Sequence, residues 1–306
     1  MLHLIDALHL NTPNVICVAV LQAEDGTLVM VDCGPETVFE HVVRELNQRG
    51  LGAENVKHLL ATHIHLDHNG GAWRWHQEFG TTVHVHPVGA PHMIDPSKLV
   101  SSATRIYGER MRHLWGEIRP LPAGSVAVTS DDLEIKVSGL TLRVIETLGH
   151  AQHHNAYWFE PARILFAGDV AGVAIGPGPI FPPCPPPDVN LEKWRESLQR
   201  ARSLNPAQLF LTHFGLRDNP ENHLAQLETR LLEWASWMKN RLLEKKSEEE
   251  ILPEFRHFTD AQLLAAGVPS ADQIAYEQAD PAAMSVTGLC RYWRKYHPEI
   301  LGEPNL

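Results

Sequence analysis

The sequence predicts an α+β protein, and three observations predict it. Strand-like apolar runs recur from residue 3 to residue 212. Between residues 87 and 122 that pattern gives way to an interrupted helical one. After Pro220 the chain reads as helix alone, with Leu224, Leu227, Leu231, Trp234 and Met238 at helical spacing. The expected organisation is a catalytic domain over 1–219, carrying a helical cap insertion at 87–122, and a helical C-terminal region over 220–306.

The first elements are three strands, around His3–Ile5, Val15–Val20 and Thr27–Val31. The Asp25-Gly26 pair between the last two is a hairpin signal. Pro35 opens a helical stripe of Val38, Phe39, Val42, Val43 and Leu46, closed by Gly50 and Gly52. A buried strand over Val56–Thr62, a short helix over Ala72–Phe79 and a strand over Thr82–His86 follow. Beyond the insertion, strands are expected at Ser125–Thr129, Leu133–Val137, Leu140–Glu146, Ala156–Phe159 and Ile164–Ala167. GPGPIFPPCPPPD, from Gly176 to Asp188, can be neither helix nor interior strand, because proline removes backbone donors. A helix over Val189–Ser203 and a strand over Leu209–Thr212 close the alternating part. In the helical region, Thr259 or Asp260 caps a helix into Leu264, Pro269-Ser270 starts another, and Pro281–Lys295 is the last.

Composition excludes several roles. Among 306 residues, 26 Lys and Arg face 37 Asp and Glu, a net charge of −11, which disfavours a nucleic-acid partner. The one basic run, Lys239 to Lys246, is followed at once by Glu248, Glu249 and Glu250 and reads as a solvated helix face. No apolar stretch spans a bilayer and no secretory pattern opens the chain, so the expectation is a cytoplasmic protein without a membrane partner. Cys17, Cys33, Cys184 and Cys290 show no CxxC spacing, which argues against a thiolate zinc site and a disulfide framework. Histidine, with 19 copies, is the unusual residue.

Four donors fall within six residues in His63-Ile64-His65-Leu66-Asp67-His68, at the end of a strand and before Gly70-Gly71. Imidazole and carboxylate together suit divalent metals, and without a metal so dense a group would be poor design. His150 follows a strand and Gly149, Asp169 follows a strand and Gly168, and His213 follows a strand and Thr212. Ligands on separate strand ends can converge on one sheet edge.

This set resembles the complete ligand series of the metallo-β-lactamase superfamily, over roughly residues 10 to 215. The segments GAPHMIDPSKLVSSATRIYG and GLCRYWRKY resemble a poorly characterised, glyoxalase II/lactonase-like hydrolase branch. The resemblance implies an αββα sandwich of two mixed sheets with metals at one edge. It also implies a binuclear centre: His63, His65 and His150 on one ion, Asp67, His68 and His213 on the other, and Asp169 bridging. Asp32 matches the acid that supports the ligands from behind. Zinc fits this ligation and redox-free hydrolysis, while manganese and iron use similar ligands.

The expected activity is that of a metal-dependent hydrolase, in which a metal-bridging hydroxide attacks a small-molecule ester, thioester or lactone. Asp67 is the catalytic candidate, orienting the nucleophile and passing its proton to the leaving group. The alternatives are an iron-dependent oxidoreductase of the persulfide dioxygenase type, a phosphodiesterase, or a non-enzymatic binding protein. His92 and Tyr107 in the cap are candidate substrate contacts, and the proline segment is either a connector or a stiff pocket wall. His84, His86, His153 and His154 are expected to pack or face solvent. Trp234, Trp237 and Trp293 could make a homodimer contact.

Overall fold

A computed structural model of the chain describes residues 1–302; the last four residues of the expected C-terminal region lie outside the described residues. Two six-stranded sheets form its centre. In the first, β1 (Leu2–Asp6), β2 (Cys17–Gln22) and β3 (Leu28–Val31) run antiparallel. β4 (Val56–Leu60), β5 (Thr82–Val85) and β6 (Val126–Val128) then add in parallel. In the second, β7 (Glu134–Val137), β8 (Leu140–Glu146), β9 (Asn155–Phe159) and β10 (Ile164–Phe166) are antiparallel. β11 (Gln208–Leu211) pairs parallel to β10, and β12 (Gly215–Asp218) returns antiparallel at the edge.

The period of two along these strands divides the core into layers. Cys17, Ala19 and Leu21 of β2, Val29 and Val31 of β3, and Leu60 of β4 meet Leu142, Val144, Tyr157, Phe166 and Phe210 of the other sheet. The alternate residues, Val18, Val20, Met30 and Leu59, belong to the core that the helices cover. Strands buried on both faces read as continuous apolar runs, which is how β2 and β3 look in the sequence. The sheets are also pinned together by polar chemistry, since the buried Tyr157 hydroxyl donates to the Ala61 carbonyl at 2.7 Å.

Helices α1 (Phe39–Gln48), α2 (Leu66–Asn69) and α3 (Ala72–Phe79) follow β3 and β4. The 87–122 stretch folds as α4 (Ala90–Ile94), α5 (Ser97–Tyr107) and α6 (Met111–Trp115), whose Ala103 and Trp115 form a small separate core with Leu66 of α2. The cap is thereby packed on the helix that carries Asp67 and His68. α7 (Leu191–Ser203) precedes β11, with Asn190 capping it through its side-chain oxygen. α8 (Pro220–Leu243), α9 (Glu248–Ala265), α10 (Ser270–Ala279), α11 (Ala282–Tyr296) and α12 (Pro298–Leu301) complete the chain.

Three expectations are corrected. A further strand, β12, follows the Thr212 strand; GLRD carries too little apolar pattern to announce an edge strand. Thr259 and Asp260 lie inside α9 and cap nothing: Ser247 and Glu250 form a reciprocal capping box 12 residues before Thr259, whose hydroxyl bonds back to the Phe255 carbonyl. Trp234 cannot serve a dimer contact, because it is 1% exposed and packs on Phe181 and Phe255. The Leu224–Met238 stripe is helix packing. Around the basic run, Arg241 and Lys246 pair with Glu254, as a solvated charged face should. Among the described residues no helix is long and apolar enough to cross a membrane, and all four cysteines are free and buried.

The helical region is not a separate body from the sheets. Tyr276 of α10 accepts from the Ile175 N–H at 3.0 Å and donates to the Pro179 carbonyl at 2.7 Å. Ser285 of α11 accepts from the Cys184 N–H at 3.1 Å. α11 lies so close to the proline segment that a Cβ on Gly288 would sit 1.8 Å from the Cys184 oxygen. His223 of α8 bonds the Ala171 carbonyl at 2.8 Å.

Burial lowers the His223 pKa to about 4, against the raising effect of the Ala171 carbonyl and with a smaller lowering from Arg217. Below about pH 6.5 the unfolded chain takes up a proton here that the folded chain refuses until about pH 4, so stability falls across that window. His223→Gln keeps an N–H for Ala171 and removes the titration. It is expected to lose less stability than the parent between pH 7 and pH 5 in urea unfolding of the metal-free protein.

Candidate metal centre

Seven side chains from both sheets and from α2 meet at one edge of the sandwich. β4 delivers the loop bearing His63 and His65, and α2 carries Asp67 and His68. The turn after β8 carries His150, the turn after β10 carries Asp169, and the end of β11 carries His213. Donor atoms of His63, His65 and His150 lie within 4.8 Å of one another, as do those of Asp67, His68 and His213, and those of His63, His68 and Asp169. All the residues expected as ligands are therefore brought together.

The hydrogen bonds of the far ring nitrogens decide where the lone pairs point. His68 Nδ1–H donates to Asp32 at 2.8 Å, His150 Nδ1–H to the Pro183 carbonyl at 2.8 Å, and His213 Nδ1–H to the Val15 carbonyl at 2.6 Å. The Thr62 hydroxyl gives its proton to Asp32, so it accepts from His63 Nδ1–H at 3.1 Å. In each of these four rings Nε2 is the nitrogen left over for a metal, and it faces the cluster. The converging atoms stand at 2.8 Å (His63 Nε2 to His65 Nδ1), 3.2 Å (His150 Nε2 to His65 Nδ1) and 3.2 Å (His68 Nε2 to His213 Nε2).

Asp169 spans the two groups. One carboxylate oxygen is 3.4 Å from His150 Nε2, and the other is 3.3 Å from His68 Nε2 and 3.7 Å from His213 Nε2. That second oxygen is buried without a hydrogen-bond partner. Asp67 completes the second group, with an oxygen 3.4 Å from His213 Nε2 and 3.6 Å from His68 Nε2.

Ligands about 2.0–2.1 Å from a tetrahedral zinc are separated by about 3.4 Å, close to the separations seen here. Lone pairs that face one another, together with an orphaned carboxylate oxygen, fit a pair of divalent cations. Burial and neighbouring imidazoles hold His63 well below its ordinary pKa and His65 down to about 3, so both stay in the neutral ligand form. Burial lowers His68 too, but Asp169, Asp67 and Asp32 outweigh it and raise that group. Asp169 is held well below the carboxylate range by His68, His213 and His150, although burial opposes this.

Asp32 locks the second layer. It is fully buried at φ 49°, a left-handed conformation that a non-glycine residue adopts at a cost. Its carboxylate accepts from the Thr62 N–H (2.8 Å), the Thr62 hydroxyl (2.7 Å), Asn69 Nδ2 (2.7 Å), the Thr212 hydroxyl (2.9 Å) and His68 Nδ1–H (2.8 Å). One side chain thus joins the ends of β3, β4 and β11 to α2. Thr62, Thr212 and Asn69 escaped the sequence reading. The repeated Thr-His pair, at Thr62-His63 and Thr212-His213, is a signal that could have found the two threonines.

His153 and His154 are buried rather than at the surface. His154 stacks on His63 at 5.0 Å, and its Nδ1 bonds the Thr147 hydroxyl at 2.8 Å. His86 pairs with Glu146 at 3.0 Å, and His84 with His58 at 3.0 Å.

Glycine is required just before His150. A Cβ on Gly149, at φ +129°, would lie 2.3 Å from the Trp194 Cα and 2.4 Å from its backbone nitrogen, so the clash is with the backbone of α7 rather than with a flexible side chain. Gly149→Ala is expected to cost at least about 3 kcal/mol or to prevent folding. Gly50→Ala, at φ +71° with nothing within 4 Å of its Cβ, should cost roughly 1 kcal/mol. Urea unfolding of the two variants checks the contrast.

A cavity of about 420 Å³ opens beside the centre, with His65, Asp67, His150 and Asp169 in its wall. His92 and Tyr107 of the cap line it, as do Pro183, Pro185, Pro186 and Pro187, so the proline segment is a pocket wall. The C-terminal region contributes Asp280, from the turn between α10 and α11, and Met284 of α11, which the sequence did not point to.

Residues 12–213 match the model of the metallo-β-lactamase superfamily. A metallo-β-lactamase fold-containing protein of Sulfurisphaera tokodaii is 27% identical over 231 residues, covering 74% of this chain and 84% of that protein. A hydroxyacylglutathione hydrolase of Methylococcus capsulatus is 28% identical over 253 residues, 76% of this chain and 82% of that enzyme. Among solved structures, a metallo-β-lactamase family protein of Thermus thermophilus aligns with a TM-score of 0.65 at 20% identity, covering 91% of this chain and 88% of that one.

Proposed function

The chain belongs to the metallo-β-lactamase superfamily, and on that premise we propose that it is a binuclear metal-dependent hydrolase of small-molecule esters, thioesters or lactones. One observation carries the reading. Four imidazoles are oriented from behind so that their Nε2 lone pairs, with His65 Nδ1 and two carboxylates, face a single shared space.

His63, His65 and His150 would hold one ion, Asp67, His68 and His213 the other, and Asp169 would reach both. Two divalent ions, most simply zinc, supply Lewis acidity and an activated water. The protein's own part is to fix the donors, to exclude bulk water with the cap and the proline wall, and to move a proton. Asp67 suits that last task, because its side chain keeps 23% exposure beside the cavity while Asp169 keeps 5%. We assign it to orient the attacking water and to pass the proton to the leaving oxygen or sulfur.

The experiment is a panel of aryl esters, thioesters, lactones and a phosphodiester offered to metal-loaded protein, with oxygen uptake followed in the presence of a persulfide. Turnover confined to the carbonyl substrates is expected. Iron-dependent oxygen consumption, or hydrolysis of the phosphodiester alone, would overturn the reading.

A further inference from the structure

The cavity beside the metal centre has a chemical character that the ligand set does not dictate. Cap helix α5 presents Leu99, Ala103 and Ile106 to it, α11 presents Met284, and Ile64 and Leu66 adjoin the metal-ligand loop. The facing wall holds Pro183, Pro185, Pro186 and Pro187, whose nitrogens carry no hydrogen and cannot donate to a carboxylate or an amide. Pro183 also gives its carbonyl to His150. Among the described lining residues Lys98 is the only lysine or arginine, against four aspartates: 67, 169, 188 and 280. Two large apolar side chains of the lining, Val88 and Ile106, are 48% and 42% exposed, so the apolar character extends to the outer edge.

A leaving group or acyl group with several negative charges finds a single cationic side chain, Lys98, in such a cavity, whereas a hydrocarbon chain finds apolar wall on α5, on α11 and along the proline segment. We propose that the cavity selects substrates with an uncharged, apolar acyl chain, which lies between α5 and the proline segment with its carbonyl at the metal-ligand cluster. This rests on the hydrolase reading above and narrows it. It sets the chain apart from an enzyme built for a short hydroxylated acyl group on a thiol bearing two carboxylates.

Two readouts test it. The first is calorimetric binding of the product-like carboxylates butanoate, hexanoate and octanoate to the metal-loaded protein, which requires no turnover. Affinity is expected to rise about fourfold per methylene, or roughly sixteenfold per step of two carbons. The second is kcat/KM for N-acetylcysteamine thioesters from acetyl to octanoyl, which should rise in the same order, with the glutathione thioester of lactate the poorest substrate. Ile106→Asp should weaken octanoate binding about tenfold and butanoate binding less than twofold.

A flat or falling series in binding, or equal effects of Ile106→Asp on both carboxylates, overturns the proposal. Graded binding without turnover of any thioester, aryl ester or lactone supports the cavity assignment and sinks the hydrolase reading. Turnover without gradation does the reverse.

Discussion

Asp169→Ala is expected to abolish paired metal binding, leaving at most one ion per chain, and to lower kcat/KM roughly a thousandfold or more. The size of the effect follows from geometry. Asp169 alone reaches both donor groups, with one oxygen 3.4 Å from His150 and the other 3.3 Å from His68. Its orphaned oxygen makes no hydrogen bond, so no backbone element depends on it for its position. The far-ultraviolet circular dichroism of the variant should therefore stay that of the parent. Elemental analysis and steady-state rates measured together check this, and two tightly held ions with parental turnover would show that Asp169 is not shared.

Asp32→Ala is expected to act in the opposite manner, through folding first. Removing this carboxylate strands five buried donors on four residues of three segments, at Thr62, His68 and Asn69, and Thr212. A buried donor left unpaired costs about 1–3 kcal/mol. Shared relaxation keeps the sum below the simple total, and a loss of about 3–5 kcal/mol is the expectation for the metal-free protein. Relief of the left-handed strain at φ 49° offsets only a part of it. Whatever folds should bind metal some 10–100-fold more weakly, since His68 loses the partner that fixes its tautomer. Urea unfolding with and without metal reads both quantities. Asp32→Asn should fall between alanine and the parent, because the amide keeps one acceptor and turns a donor towards the other donors.

These two variants also mark how far the sequence was legible. All seven ligand-type residues stand in short strings that follow apolar, strand-like runs, and four of them, His63, His150, Asp169 and His213, directly follow a glycine or threonine; Asp32 is placed by the family resemblance. Gly149 shows why the pattern is so plain: the close approach of α7 to the turn tolerates no side chain there. The helical tail was visible as long periodic segments, and the cap as an interrupted helical pattern that departs from strand alternation.

What stayed hidden was whatever depends on contacts between distant segments. Asp280 and Met284 carry no motif, yet the packing of α11 on Cys184 brings them to the cavity more than 90 residues after the proline wall, which runs to Asp188. Ser247-Glu248-Glu249-Glu250 carries the capping-box spacing, whereas Thr259 and Asp260 resemble caps only in isolation; Pro253 sits inside α9 without ending it. Trp234 looked available for a partner because a stripe of leucine and tryptophan does not say whether its cover comes from the same chain. Here Phe181 of the proline segment and Phe255 of α9 provide it.

The central claim is that two divalent ions share this donor cluster, and one measurement addresses it directly. Zinc is titrated calorimetrically into metal-free protein at neutral pH, with the stoichiometry read from the isotherm. The arrangement of His63, His65 and His150 beside Asp67, His68 and His213, with Asp169 between them, predicts two ions bound per chain. An isotherm saturating at one ion per chain or fewer would contradict it.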